Sequence, residues 1–240
     1  MPEQLQSAML EPFHMEVDVS EEDDLTVLRI DGRIGRDYFE EMMTGEDSPN
    51  TGANIRRELR KVSTSKLRLD IASPGGDVHE ALVIYDALRE SGLDITTRLQ
   101  GLSASAATLI ALAAPAEQRE ISETALALPH LPMMLILMFA NTENLLDAAG
   151  DLEPISKQLT QLYATETGMS YDDMKALMTT GTGKQGRFLT ADEYVEKGFA
   201  ARTYAPEPEA ANDPDPEPEL TAQAQANALR LRLAKLSYLT

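Results

Sequence analysis

Between Lys66 and Ala114 the sequence passes from strand to helix and back again, and this alternation limits the fold more than any other feature. KLRLDIA, residues 66–72, places Leu67, Leu69 and Ile71 on one side of an extended segment. SPGG then reads as a turn, and DVHEALVIYDALRESG as a helix stopped by Gly92. DITTRLQG supplies the next strand and delivers the chain to GLSASAATLIALAA, whose Ala and Leu content favours a second helix. Upstream, TVLRIDGRIG carries Val27, Leu28, Ile30 and Ile34 and reads as a strand ending in a glycine turn. DYFEEMM through NIRRELRKV reads as helix broken by the loop GEDSPNTG. Strand followed by helix, repeated, implies an α/β fold with right-handed crossovers.

The flanks differ in composition from this core. Residues 1–24 end in EVDVSEEDD and read as an acidic, solvated arm, so the folded domain is expected over 25–203. APEPEAANDPDPEPE has five prolines and six acids without Lys or Arg, so 204–220 reads as an extended linker. The remaining 221–240 is Ala- and Leu-rich with Arg230, Arg232 and Lys235, and reads as a short helix that needs a partner surface. A formal net charge of −19 argues against nucleic acid or an anionic membrane as the main partner. Cysteine is absent, which excludes disulfides and thiolate zinc sites. The three histidines, His14, His79 and His130, are too scattered to suggest a metal site. No secretory signal is visible, and the expected location is cytoplasmic. The apolar run ALALPHLPMMLILMFA, 125–140, is too short and too proline-rich to span a bilayer. Within it, MMLILMF reads most simply as a core strand.

Two stretches carry possible chemistry. The serines that open GLSASAATLIALAA have a structural reading, with Ser103 as an N-cap, and a catalytic one, with a nucleophile beside oriented backbone N–H groups. SPGGDV is either a tight turn or half of an oxyanion hole, where adjacent glycines leave a backbone N–H unobstructed.

DIASPGGDVHEALVIYDALRESGLDITTRLQGLSASAATLIALAA resembles the nucleophile region of the Clp-type serine peptidases, especially the phage head maturation (prohead) proteases related to the Clp proteolytic subunit. IDGRIGRDYFEE and RFLTADEYVEKGFA resemble the same group, so the likeness covers about 25–203. The resemblance implies a Clp/crotonase-like α/β fold of strand-helix units with a projecting handle region, formed by the apolar run after His130. It makes Ser105, four positions after Gly101, the nucleophile, with Ser103 a cap or neighbour. It makes His130 the general base, and the N–H groups of Gly76 and Ala106 the oxyanion donors. His79 reads as an exposed helix residue and His14 has no apparent partner.

The family's acid is missing here. No Asp or Glu occurs between Asp173 and Asp192, and Gly186 stands at the nearest match. Asp172 or Asp173 arriving from elsewhere, a backbone carbonyl, or a weak enzyme would each account for this, with Lys184 as a Ser/Lys alternative. The implied function is a serine endopeptidase processing capsid or scaffold protein in the host cytoplasm or procapsid, assembled as a homo-oligomeric ring without metal or cofactor. The alternatives are a catalytically weak Clp-like assembly factor and a crotonase-like acyl-thioester enzyme.

Overall fold

The computed structural model describes residues 17–20, 24–38, 41–42, 48–136, 139–181 and 185–206. The expected short helix at 221–240 and the expected linker from residue 207 onward lie outside these residues. A six-stranded sheet has the order β1 (Val17–Ser20), β2 (Leu25–Ile34), β3 (Lys66–Gly76), β4 (Asp94–Leu99), β6 (Arg119–Ser122), β9 (Arg202–Tyr204). All its pairings are parallel except β1 with β2. A smaller sheet holds β5 (Leu102–Ala104), β7 (Leu126–Leu128) and β8 (Leu189–Thr190). The expected α/β fold of strand-helix units is therefore the observed one. Within the expected arm, Val17–Ser20 forms an edge strand paired with Leu25–Leu28. Its Val-Asp-Val alternation is a strand pattern that the surrounding acids mask.

Helix α1 (Gly52–Leu59) packs on α2 (Val78–Glu90), which in turn packs on α3 (Ala106–Ala111). These helices cover the sheet face formed by Leu28, Ile30, Leu67, Leu69, Ile71 and Leu99, all essentially buried. Asp77 caps α2, accepting from Glu80 N at 3.0 Å, and Gly92 follows its end at φ +72°. SPGG is not a separate turn: it continues β3 in extended form, because Ile34 of β2 pairs with Gly76.

The other sheet face carries a row of alternating charge. Arg29, Asp70, Arg98, Glu120 and Arg202 stand in direct register across five strands. Arg68 bonds Asp70 at 3.0 Å, Arg98 bonds Glu120 at 2.6 Å, and Arg202 also bonds Glu120. Cross-strand opposite charges support the register, while burial pushes the Asp70 carboxyl up despite the pull of Arg68.

The longest helix, α4 (Thr142–Thr167), starts at an Asn141–Asn144 capping box and ends at Gly168, φ +74°. Sequence patterning shows it poorly, since Leu145, Leu146 and Ile155 are exposed and only its C-terminal half is buried. That half is anchored by Arg119, a buried guanidinium that donates to Leu112 O at 3.0 Å, Ala114 O at 2.8 Å and Glu166 O at 2.8 Å, and pairs with the Glu166 carboxylate. Tyr85 donates to the same carboxylate at 3.0 Å; burial and then the Glu166 charge push its phenol up to about 12. Helices α5 (Tyr171–Met178) and α6 (Ala191–Glu196) complete the fold. No helix among the described residues is long and apolar enough to cross a membrane.

Removing Glu166 would leave Arg119 as a buried charge with only carbonyl partners. Glu166→Ala should therefore lower stability by about 3 kcal/mol, measured as the shift in the urea unfolding midpoint with an unchanged slope.

Candidate active site

Strand β5 ends at Ala104, the chain reverses at Ser105, and α3 begins at Ala106. Ser105 has φ +55° and ψ −126°, a strained conformation for a residue with a side chain. It occupies the N-cap position, yet its side chain makes no capping bond. Among the described residues its hydroxyl makes no hydrogen bond, and it is partly exposed. Ser103 behaves differently. It lies within β5, fully buried, and its hydroxyl is directed at Gln100 O (2.9 Å) and Ile71 O (3.1 Å). The expectation of Ser103 as an N-cap is thus corrected: it ties β5 to the end of β3 and is closed to a substrate.

The two glycines of SPGG answer to two different neighbours. A Cβ on Gly75, φ +92°, would stand 2.6 Å from both Ser105 Cβ and Ala104 O, and 3.0 Å from Ala106 N. A Cβ on Gly76 would stand 2.0 Å from Ile34 O. The first absence lets β3 abut the Ser105 turn and leaves the Ala106 N–H face open; the second lets β3 abut β2. Sequence reasoning singled out Gly76 for the site, but Gly75 makes the closer approach to Ser105.

His130 follows β7. Ala104 pairs with Leu128, and Ser105 N donates to Leu128 O at 2.8 Å, so Ser105 and His130 leave the ends of adjacent strands together. His130 Nδ1 lies 2.6 Å from Leu131 O. A carbonyl only accepts, so Nδ1 carries the hydrogen, and in the neutral imidazole the free lone pair is on Nε2. Pro132 restricts the Leu131 backbone to extended angles, which fixes where that carbonyl points. Neither proposed acid performs this task. Asp172 and Asp173 stand on the exposed first turn of α5, where Asp173 accepts from Ser170 Oγ at 2.6 Å. Among the described residues no carboxylate bonds to His130. Gly186, φ +80°, does press against the histidine: a Cβ there would lie 3.2 Å from His130 Cβ and 2.8 Å from Pro129 O. His79 is exposed on α2, whereas Lys184 and His14 lie outside the described residues.

The apolar run after His130 is not the core strand that its composition suggests. Met133, Met134, Leu135 and Ile136 are in no strand and are exposed, Leu135 to 79%. They stand beyond the last residue of β7 and pair with no strand among the described residues.

Comparison with known proteins decides the family. The Clp protease family pattern matches residues 58–206, a span holding Gly75, Ser105 and His130. The chain belongs to the Clp protease family. This Clp-family chain is a serine-type endopeptidase, with relatives that include ATP-dependent Clp protease proteolytic subunit 3 of Streptomyces coelicolor. That relative is 27% identical over 187 residues, covering 75% of this chain and 83% of the relative. Proteolytic subunit 2 of Treponema denticola is 30% identical over 165 residues, covering 67% and 79%. Among solved structures, a ClpP1 point variant from Listeria monocytogenes superposes with a TM-score of 0.59 at 19% identity, covering 75% of this Clp-family chain and 92% of its own.

The tight seat of Gly186 predicts the outcome of an obvious experiment. Gly186→Asp should lower peptide-ester hydrolysis about tenfold rather than raise it, because the new Cβ at φ +80° must push aside Pro129 O and crowds His130, which follows it. Steady-state kinetics of the purified variant would check this.

Proposed function

We propose that Ser105 is the acyl-accepting nucleophile and His130 its general base. The observation that carries the reading is the His130 Nδ1–Leu131 O bond beside the Ser105 turn, which leaves Nε2 as the proton acceptor. In the forward step Nε2 takes the Ser105 proton as Oγ attacks the peptide carbonyl. The resulting oxyanion is met by the N–H groups of Ala106 and Gly76. His130 then returns the proton to the leaving amine, and water releases the acyl group by the same steps. Leu131 O preserves the productive tautomer but carries no full charge, so the imidazolium is stabilised less than beside a carboxylate.

The finer reading places this peptidase in phage head maturation, cleaving capsid or scaffold protein as a homo-oligomeric ring. The sequence resemblance over about 25–203 supports the maturation role. The exposed Met133–Ile136 segment, with Leu145 and Leu146 of α4, supports contact with another copy or with apolar substrate side chains.

A fluorophosphonate should label the wild-type chain on Ser105, located by mass spectrometry of the digest, and should not label Ser105→Ala. Labelling on Ser103 alone would sink the assignment. His130→Ala should slow labelling by about 10³-fold. For the maturation role, co-expression with the head proteins of the source phage should yield shortened products that disappear with Ser105→Ala; intact head proteins in both cases would exclude it.

A further inference from the structure

The geometry points to Thr108 and Tyr163 as positioning residues that aim the Ala106 N–H at the oxyanion. The inference rests on Ser105 being the nucleophile. Three groups converge on one backbone oxygen, Ser105 O: Thr108 N at 3.0 Å and Thr108 Oγ1 at 2.7 Å as donors, with Tyr163 OH behind them at 3.4 Å. The two hydroxyls also lie 2.6 Å from each other. Each hydroxyl has one proton. The short Thr108 Oγ1–Ser105 O distance places the threonine proton there, and the tyrosine proton then goes to Thr108 Oγ1. The result is a chain, Tyr163 to Thr108 to Ser105 O, with both hydroxyls closed to water: Thr108 is 0% and Tyr163 2% exposed.

The consequence follows from peptide planarity. The Ser105–Ala106 bond is trans, so the Ala106 N–H points opposite to the Ser105 carbonyl. Holding that carbonyl toward Thr108 and Tyr163 holds the N–H away from them, on the side that Gly75 leaves open. Ser105 sits at a strained φ, where the peptide plane would otherwise relax by rotating about ψ. A buried pair of hydroxyls therefore sets the direction of a backbone donor that neither of them touches. Tyr163 lies on α4, so the far end of the chain of bonds is fixed by the long helix rather than by the turn itself. Burial pushes the Tyr163 phenol well up, so it stays a neutral donor across the working pH range.

The test uses the full chain with three substitutions and two readouts, the fluorophosphonate labelling rate and the affinity of a peptide boronate. Thr108→Val keeps the volume and removes the hydroxyl. It should slow labelling and weaken boronate binding about 10- to 100-fold, with KM for a peptide ester unchanged. Thr108→Ser should restore both to within about threefold. Tyr163→Phe leaves the Thr108–Ser105 bond in place and should cost only about threefold in both. Should Thr108→Val fold poorly, the parallel drop of labelling and boronate affinity from wild type to Tyr163→Phe, with KM unchanged, decides the matter. Equal labelling and boronate affinity in wild type and either hydroxyl-deleted variant would overturn the proposal, as would a change confined to KM. A wild-type chain that never labels would instead defeat the assignment of Ser105, a result distinct from equal labelling.

Discussion

Everything near the site depends on how closely the end of β3 approaches the turn at Ser105. Two backbone segments meet there at a distance that excludes a Cβ on position 75, and only glycine meets that condition at φ +92°. The approach has a partner on the other edge of β3, where Gly76 abuts Ile34. β3 is thus wedged between β2 and the β5–α3 turn, and the strained backbone of Ser105 is held by packing on one side and hydrogen bonds on the other. A strained residue persists only when its surroundings over-determine it, and here two donors from Thr108 on the Ser105 carbonyl, backed by Tyr163, plus the Ser105 N to Leu128 O bond provide that redundancy.

The short helix α3 is gripped at both ends by α4. At its start Tyr163 reaches Thr108 and Ser105 O; at its end Arg119 joins Leu112 O and Ala114 O to Glu166. A six-residue helix has few internal hydrogen bonds, so its position relies on these external ties. Thr97 adds one from the sheet, donating to Ala111 O at 2.8 Å. The buried ion pair therefore acts at a distance from the chemistry, by keeping the helix that follows Ser105 in register with β3.

Much of this was legible in the sequence, and the misses share a cause. The β3–α2–β4 succession and the Gly92 stop follow from period and turn residues, which are local properties, and the proposal of Ser105 over Ser103 from family spacing agrees with Ser103 being buried and bonded. SPGG reads as a turn because glycine and proline punctuate most chains; here the parallel partner β2 extends the strand through it. Val17–Ser20 reads as arm because acids surround it, although backbone pairing needs no particular side chain. MMLILMF reads as core because composition carries no information about which surface covers it. The Arg119–Glu166 pair and the hydroxyls on Ser105 O join residues 47 and 55 to 58 positions apart, and no short-range pattern announces such partners.

The missing acid shows the same limit from the other direction. A carboxylate beside a catalytic histidine does three jobs: it selects the tautomer, aims the ring, and balances the imidazolium charge. Leu131 O accepts from Nδ1, which accomplishes the first, and Pro132 restrains the carbonyl, which contributes to the second. The third needs a full negative charge, which a carbonyl dipole supplies only in part. Gly186 occupies the position nearest the family's acid and is packed too tightly against Pro129 and His130 to accept one. A carboxylate side chain could stand at this position only if the backbone at 186 withdrew. On the proposed assignment, His130 keeps its orientation but gives up part of its electrostatic support, so a larger share of transition-state stabilisation falls to backbone N–H donors such as that of Ala106, whose direction is set by the Ser105–Ala106 peptide.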